Sequence, residues 1–245
     1  MAENRASEYR ASQYAEGTPC WVDAQLPDVE AGKRFYGELF GWTFEEQPQG
    51  TVRALKDGEA VASLAHKTDG RLPTVWTVSF ATPDAGALCG RIRAAGGSVV
   101  SPPLPFGDLG HTALVTDPEG AVFSLWQGAR SPGFGRRHAP GTFAWVQLYA
   151  RNTEAANTFY GDLFHDALFG PDADPDFGRA QVSDVFAAEM PPHLLVHFAV
   201  EDLTAGLAEV TRLGGRVQVP PFETSYGTVA VVTDNQGASF ALLYR

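Results

Sequence analysis

Apolar and polar residues alternate from position 21 to position 26. Val22, Ala24 and Leu26 fall on one side and Trp21, Asp23 and Gln25 on the other, the two-residue period of a strand with one face in a core. The period then changes. Ala31, Phe35 and Leu39 recur every four residues behind Asp28, which predicts a helix capped by that aspartate and stopped at Gly41. The same switch recurs 124 positions later, where Val146, Leu148 and Ala150 alternate with Trp145, Gln147 and Tyr149 ahead of a helix capped by Asn152. The letters agree as well as the pattern: W-V-D-A-Q-L-P-D-V-E-A-G-K-R-F-Y-G-E-L-F (21–40) is answered by W-V-Q-L-Y-A-R-N-T-E-A-A-N-T-F-Y-G-D-L-F (145–164). A repeat of this length predicts two copies of one domain.

Further along, short strands fit 42–46, 51–56 and 59–66, with turns at 48–50 and at Asp57-Gly58. A second strand fits 75–80, and Pro83-Asp84 opens a helix that ends at Gly96-Gly97. Strands at 98–101, 111–116 and 121–127 follow, broken by a loop at 102–110. The second half repeats this plan, with a strand at 193–200, a helix at 202–213 and a stop at Gly214-Gly215. Pro220-Pro221 answers Pro102-Pro103, and T-D-N-Q-G (233–237) answers T-D-P-E-G (116–120). The prediction is therefore a polar tail at 1–16, disordered or briefly helical, a domain at 17–128, a linker at 129–141 and a domain at 142–245. Each domain holds two βαβββ units.

In both copies the small apolar side of the first strand suits a covering helix. The opposite sides, Trp21/Asp23/Gln25 and Trp145/Gln147/Tyr149, are left to line a cavity. A face in plain water is the alternative, and a Trp at the head of both faces argues against it.

Composition narrows the partners. With 245 residues and 44% hydrophobic content the chain can bury two ordinary cores. A net charge of −11 disfavours nucleic acid. The basic stretch from Arg130 to His138 reads as a solvated joint. Cys20 and Cys89 are the only cysteines, which suits a reduced compartment. With no signal peptide and no apolar run of spanning length, the expectation is a cytoplasmic protein, monomer or homodimer, apart from membranes.

The layout resembles the vicinal oxygen chelate superfamily, which includes glyoxalase I, extradiol dioxygenases and bleomycin-resistance proteins. F-Y-G-E-L-F-G-W (35–42), I-R-A-A-G-G (92–97) and D-P-E-G-A-V-F-S-L (117–125) carry the likeness, echoed by F-Y-G-D-L-F and D-N-Q-G-A-S-F-A-L in the second copy. The chain looks most like tandem glyoxalase-like proteins of actinobacteria. The resemblance implies an α+β fold of two tandem glyoxalase-like domains, each a pair of βαβββ units forming a U-shaped mixed sheet around a cavity. It also implies, in metal-dependent members, an ion held by one His, Gln or Glu from each of four strands. Matching those positions gives Trp21, Ser63, Thr77 and Ser124 in the first domain. In the second it gives Trp145, Leu195 and Ala241, with no fourth match because 165–190 diverges. Trp cannot ligate a metal, and hydroxyls make a poor site for a divalent ion. No metal and no other cofactor is expected.

Other chemistry is sparse. His193 and His197 on one strand stand about 13 Å apart, at roughly 3.3 Å per residue, too far to share an ion. D-A-D-P-D-F-G (172–178) lacks the Gly and Glu of a calcium loop and reads as an exposed acidic loop. No G-x-S-x-G, P-loop or G-x-G-x-x-G occurs. Cys20 has the parity of the core side and reads as a structural thiol; His66 and His111 read as surface residues. Asp23, beside Trp21 on the cavity side, is the candidate general base, with a hydrogen-bonded structural aspartate as the alternative. The loops 102–110 and 220–227 bring Phe106, Leu109, Phe222 and Tyr226, suited either to lidding a cavity or to closing the core edge.

Two functions follow. In the first, a metal-free protein binds a planar or aromatic metabolite between Trp21, Trp126, Trp145, Tyr149 and the loop aromatics. Gln25, Ser63, Thr77, Ser79, Ser124 and Gln147 are then its polar contacts. In the second, a cofactor-independent isomerase, lyase or cyclase uses Asp23 or His197 for proton transfer.

Overall fold

A computed structural model of the chain describes residues 14–47, 50–68, 73–170, 173, 176–187 and 189–245. The first half runs β1 (Pro19–Leu26), α1 (Val29–Phe40), β2 (Thr43–Glu46), β3 (Thr51–Lys56) and β4 (Glu59–His66). It continues with β5 (Trp76–Ala81), α2 (Ala85–Ala94), β6 (Ser98–Phe106), β7 (Gly110–Thr116) and β8 (Val122–Gly128). The second half begins with β9 (Phe143–Ala150), α3 (Thr153–Leu168), β10 (Phe177–Gln181) and a 3₁₀ helix at Val182–Asp184. It ends with β11 (His193–Ala199), α4 (Leu203–Arg212), β12 (Arg216–Thr224), β13 (Gly227–Thr233) and β14 (Ser239–Tyr244). The strands form one mixed sheet per half, ordered β2-β3-β4-β1-β5-β8-β7-β6 and β10-β9-β11-β14-β13-β12. The α+β class and the repeat hold.

The local rules read from the sequence operate four times. Asp28, Asp84, Asn152 and Asp202 each accept a hydrogen bond from the backbone N–H three residues on, at Ala31, Ala87, Ala155 and Ala205. Gly41, at φ 69°, ends α1 in the left-handed conformation that a residue with a Cβ resists. Val22, Ala24, Leu26, Val146, Leu148 and Ala150 are all completely buried, as their alternation requires.

Three expectations need correction. The segments at 102–110 and 220–227 are largely strand rather than loop: β6 and β12 run through their proline pairs. Both lie at a sheet edge and both carry register shifts, so the missing N–H groups fall where no ladder bond is lost. Secondly, the third unit does not repeat the first. Among the described residues, its helix is followed by one strand, β10, and a 3₁₀ helix instead of three strands. Thirdly, the 129–141 segment is tied down rather than a free joint. Gly135 N–H donates to the Ala60 carbonyl, Arg136 pairs with Asp57, and Phe134 stacks on Phe143 at 4.9 Å. The tail at 1–13, the turn at 48–49 and positions 172, 174 and 175 of the acidic stretch lie outside the described residues, although Asp176 of that stretch is buried rather than exposed.

The sheets follow the halves of the sequence, but the contacts regroup them. One compact unit comprises the chain up to Trp21 with Val78–Gly133 and Leu148–Leu194; the other comprises Val22–Thr77, Phe134–Gln147 and Leu195–Arg245. In the second of these, Tyr36, Phe40, Trp42, Trp76, Phe198 and Phe240 form one aromatic cluster, with Phe40 and Phe198 centred 5.0 Å apart. In the first, Phe80 stacks on Phe164 at 5.5 Å and meets Phe123 edge-on. Among the described residues no helix is long and apolar enough to cross a membrane.

Candidate functional site

Strand register builds a polar row that the sequence alone does not show. Asp23 of β1 stands opposite Ser63 of β4, and Ser63 stands opposite Arg53 of β3. Residues facing each other across a ladder share a sheet face, so a carboxyl, a hydroxyl and a guanidinium lie in line at about 4.8 Å per strand. All three are half-buried. Shielding from water pushes the Asp23 carboxyl up to about 7. An acid in that state exchanges its proton near neutral pH. Of its neighbours along β1, Trp21 is half-buried while Gln25 is exposed. Thr77, on β5, is half-buried.

In the ladders Asp23 stands opposite Ser63, Ser79 opposite Ser124 and His197 opposite Ala241, and none of these rungs holds more than one side chain that ligates a transition metal. Among the described residues no three His, Cys, Asp or Glu side chains converge. The donor set does not fit the divalent ion that metal-dependent members hold.

The second copy of the strand face is filled by the protein itself. Gln147 and Tyr149 are 4% and 1% exposed, whereas Trp21 and Asp23 are half-buried. Tyr226 stacks on Trp145 with ring centres 4.6 Å apart and planes at 22°. Its hydroxyl donates to Gln147 Oε1 at 3.2 Å, and the Trp145 indole N–H donates to the same oxygen at 3.0 Å. His197 is completely buried, with Nδ1 bonded to the Leu195 carbonyl at 3.0 Å and Nε2 without a partner. Burial holds it down to about 3, so the ring is neutral and offers a bare lone pair; it is no general acid near neutrality. Arg245, which the sequence reading passed over, donates from Nε to the Tyr226 carbonyl at 3.0 Å and lies over Trp145.

The remaining candidates scatter. Tyr149 packs against Phe186 and His193. Ser79 and Ser124 are buried at 4% and 7% exposure. Phe106 meets Trp126 edge-on at 6.1 Å, and the Trp126 N–H is held by the Ser131 carbonyl, so this pair closes an edge rather than standing open. Phe222 stands opposite Val229 in the β12–β13 ladder. Cys20 is the structural thiol expected, its S–H on the Ser79 carbonyl and its ionisation suppressed by burial. His66 and His111 are exposed. A groove of about 700 Å³ beside Phe40, Lys56, Arg136, Val200 and Asp202 contains none of these residues. Its cations are already engaged, Arg136 by Asp57 and Lys56 by the Phe40 carbonyl.

Comparison with known proteins places this geometry in context. The profile of the Glyoxalase/Bleomycin resistance protein/Dioxygenase superfamily matches residues 21–125. The chain is 34% identical over 254 residues to a glyoxylase candidate of Mycobacterium tuberculosis, CFP32, an alignment spanning 96% of this chain and 97% of that one. It is 33% identical over 262 residues to the anthracycline biosynthesis protein DnrV of Streptomyces peucetius, spanning 95% and 94%. Among solved structures, the Mn(II)-bound glyoxalase from Novosphingobium aromaticivorans matches with a TM-score of 0.64 at 17% identity, over 94% of this chain and 83% of that one. The 2,3-dioxygenase LapB from Pseudomonas sp. KL28 gives 0.62 at 16%, over 95% and 94%. At such identities the structural likeness speaks for the fold and not for a reaction.

Proposed function

Because the chain belongs to the Glyoxalase/Bleomycin resistance protein/Dioxygenase superfamily, we propose that it is a metal-independent member that binds a planar, oxygenated aromatic metabolite. The ligand is of the kind that the name of its anthracycline-biosynthesis relative suggests. The observation that carries this reading is the Asp23–Ser63–Arg53 row, a line of acceptor, hydroxyl and donor on a strand face that is neither core nor open surface. A flat ring system edged with hydroxyl and keto oxygens complements such a row. Asp23 takes a hydroxyl proton, and Arg53 supports a carbonyl oxygen. The ligand positions themselves support metal independence, since hydroxyl groups stand where metal-dependent relatives need stronger donors.

A second reading is favoured by one observation, the elevated Asp23 carboxyl. A group balanced near neutrality can remove a proton from carbon next to a carbonyl and return it elsewhere, the chemistry of a cofactor-independent isomerase, lyase or cyclase. The two readings share a site and differ in turnover. The test is to titrate 1,8-dihydroxyanthraquinone against the parent protein, Asp23→Asn and Arg53→Met by tryptophan quenching. Exchange of the C–H next to the carbonyl of 8-hydroxy-1-tetralone, an aromatic hydroxyketone that carries such a proton, is followed alongside in D2O. Saturable binding weakened about tenfold by either substitution supports the binder, and exchange abolished only in Asp23→Asn supports the enzyme. Neither saturable binding nor exchange up to millimolar ligand sinks both. Elemental analysis of untagged protein is expected to find no stoichiometric zinc, nickel, iron or manganese.

A further inference from the structure

We infer that Tyr226 is a built-in occupant of a second small-molecule site, centred on Trp145, Gln147 and His197, and that a planar hydroxyaromatic ligand displaces it. The recognition elements are complete. Trp145 supplies a flat wall, and Gln147 supplies an acceptor oxygen fixed in place by the Trp145 indole N–H. What occupies them is a phenol, stacked at 4.6 Å with its hydroxyl on Gln147 Oε1 at 3.2 Å. The protein thus shows on its own side chain which ligand chemistry the site takes: an aromatic plane with a hydroxyl at its rim.

His197 shows that Tyr226 does not complete the site. Its ring is completely buried, its centre lies 6.0 Å from that of Tyr226, and its Nε2 accepts no hydrogen bond from any described residue. A buried acceptor left empty is disfavoured, because the water it gave up is not replaced. The Tyr226 hydroxyl is committed to Gln147. An occupant carrying a further hydroxyl satisfies Nε2 as well, and so exceeds Tyr226 in the one interaction the tyrosine cannot make.

Displacement requires only a side-chain rotation. Tyr226 lies in the tight turn between β12 and β13 and is half-buried. The turn backbone is held on both sides: Thr224 Oγ1 donates to the Gly227 carbonyl at 2.6 Å, and Arg245 Nε donates to the Tyr226 carbonyl at 3.0 Å. The ring can turn toward solvent about its own Cα–Cβ bond while the hairpin stays in place, on the timescale of rotamer and loop motion. Gating of this kind lowers the apparent affinity of the parent protein by the fraction of time the ring is away.

The inference stands apart from the Asp23 reading, since Asp23, Ser63 and Arg53 take no part. The experiment uses the full chain and 2,7-dihydroxynaphthalene as probe, followed by calorimetry. Tyr226→Ala should bind about tenfold more tightly than the parent, a difference of about 1.4 kcal/mol. Adding Gln147→Leu should abolish the gain, and adding Asp23→Asn should leave it intact. If Tyr226→Ala fails to fold, Tyr226→Phe keeps the ring, gives up the hydrogen bond and should still bind about threefold more tightly. Affinity unchanged in every folded Tyr226 variant, or a gain that survives Gln147→Leu, overturns the proposal.

Discussion

The Tyr36 hydroxyl donates a 2.8 Å hydrogen bond to Asp234 Oδ2, although 198 positions separate the two residues. Tyr36 sits in the first F-Y-G motif, on α1, and Asp234 in the second T-D-x-x-G turn, before β14. The other two motifs make the reciprocal pair, with the Tyr160 hydroxyl 3.3 Å from Asp117 Oδ2. In each turn the other carboxylate oxygen accepts two backbone N–H bonds, from Glu119 and Ala121 or from Gln236 and Ala238. The aspartate thus shapes its turn and takes the helix tyrosine of the opposite half. These pairs explain why each compact unit draws on both halves of the sequence.

Tyr36→Phe should therefore destabilise more than Tyr160→Phe. Tyr36 also accepts the Trp76 indole N–H at 2.9 Å, so removing its hydroxyl leaves a buried donor and a buried carboxylate oxygen short of partners. The expected loss is about 2–3 kcal/mol for Tyr36→Phe and about 1 kcal/mol for Tyr160→Phe, read from urea unfolding midpoints. Equal losses would show that the Trp76 bond contributes nothing.

Phe35 and Phe159 are equivalent anchors of α1 and α3, at 1% and 3% exposure. Truncating either to Ala removes a ring from a filled core and should lower stability by about 3–5 kcal/mol. A loss below about 1 kcal/mol at both sites contradicts the helix faces described.

His197 predicts a loss of stability in acid. Its folded pKa of about 3 lies below the usual 6.5, so the unfolded chain binds the proton more readily throughout that interval. The stabilisation this provides is complete above about pH 6.5 and is lost progressively toward pH 3. Between pH 7 and pH 4.5 the contribution should fall by about 2–3 kcal/mol. His197→Phe should flatten that part of the stability profile, as measured by denaturant unfolding at each pH. An unchanged slope places the acid sensitivity elsewhere.

Asp23 predicts the opposite sign. Its folded pKa, about 7, exceeds the ordinary carboxylate value, so the folded state holds the proton and loses stability as pH rises from about 4 to 7. Asp23→Asn should consequently be more stable than the parent at pH 8, by about 1–2 kcal/mol because water still reaches the group, and no more stable below pH 4. A variant less stable at pH 8 makes Asp23 a structural hydrogen-bonding residue instead of a poised acid.

The sequence by itself determined the features that depend on neighbours two to four residues away. Val22, Ala24 and Leu26 announce a buried strand face because side chains alternate across a pleat. Asp28, Asp84, Asn152 and Asp202 announce helix starts because a short acceptor reaches the N–H three residues on. Repetition of these signals was enough for the α+β class and for family resemblance. The candidate site needed more. That Arg53 stands in line with Asp23 follows from a ladder register, which no local pattern encodes. That Tyr226 lies on Trp145 depends on the turn of the β12–β13 hairpin packing onto β9, 79 residues beyond Gln147. Tyr36 and Asp234 likewise sit in motifs legible one at a time. Their pairing is a tertiary decision, because a buried hydroxyl and a buried carboxylate take whichever partner packing delivers.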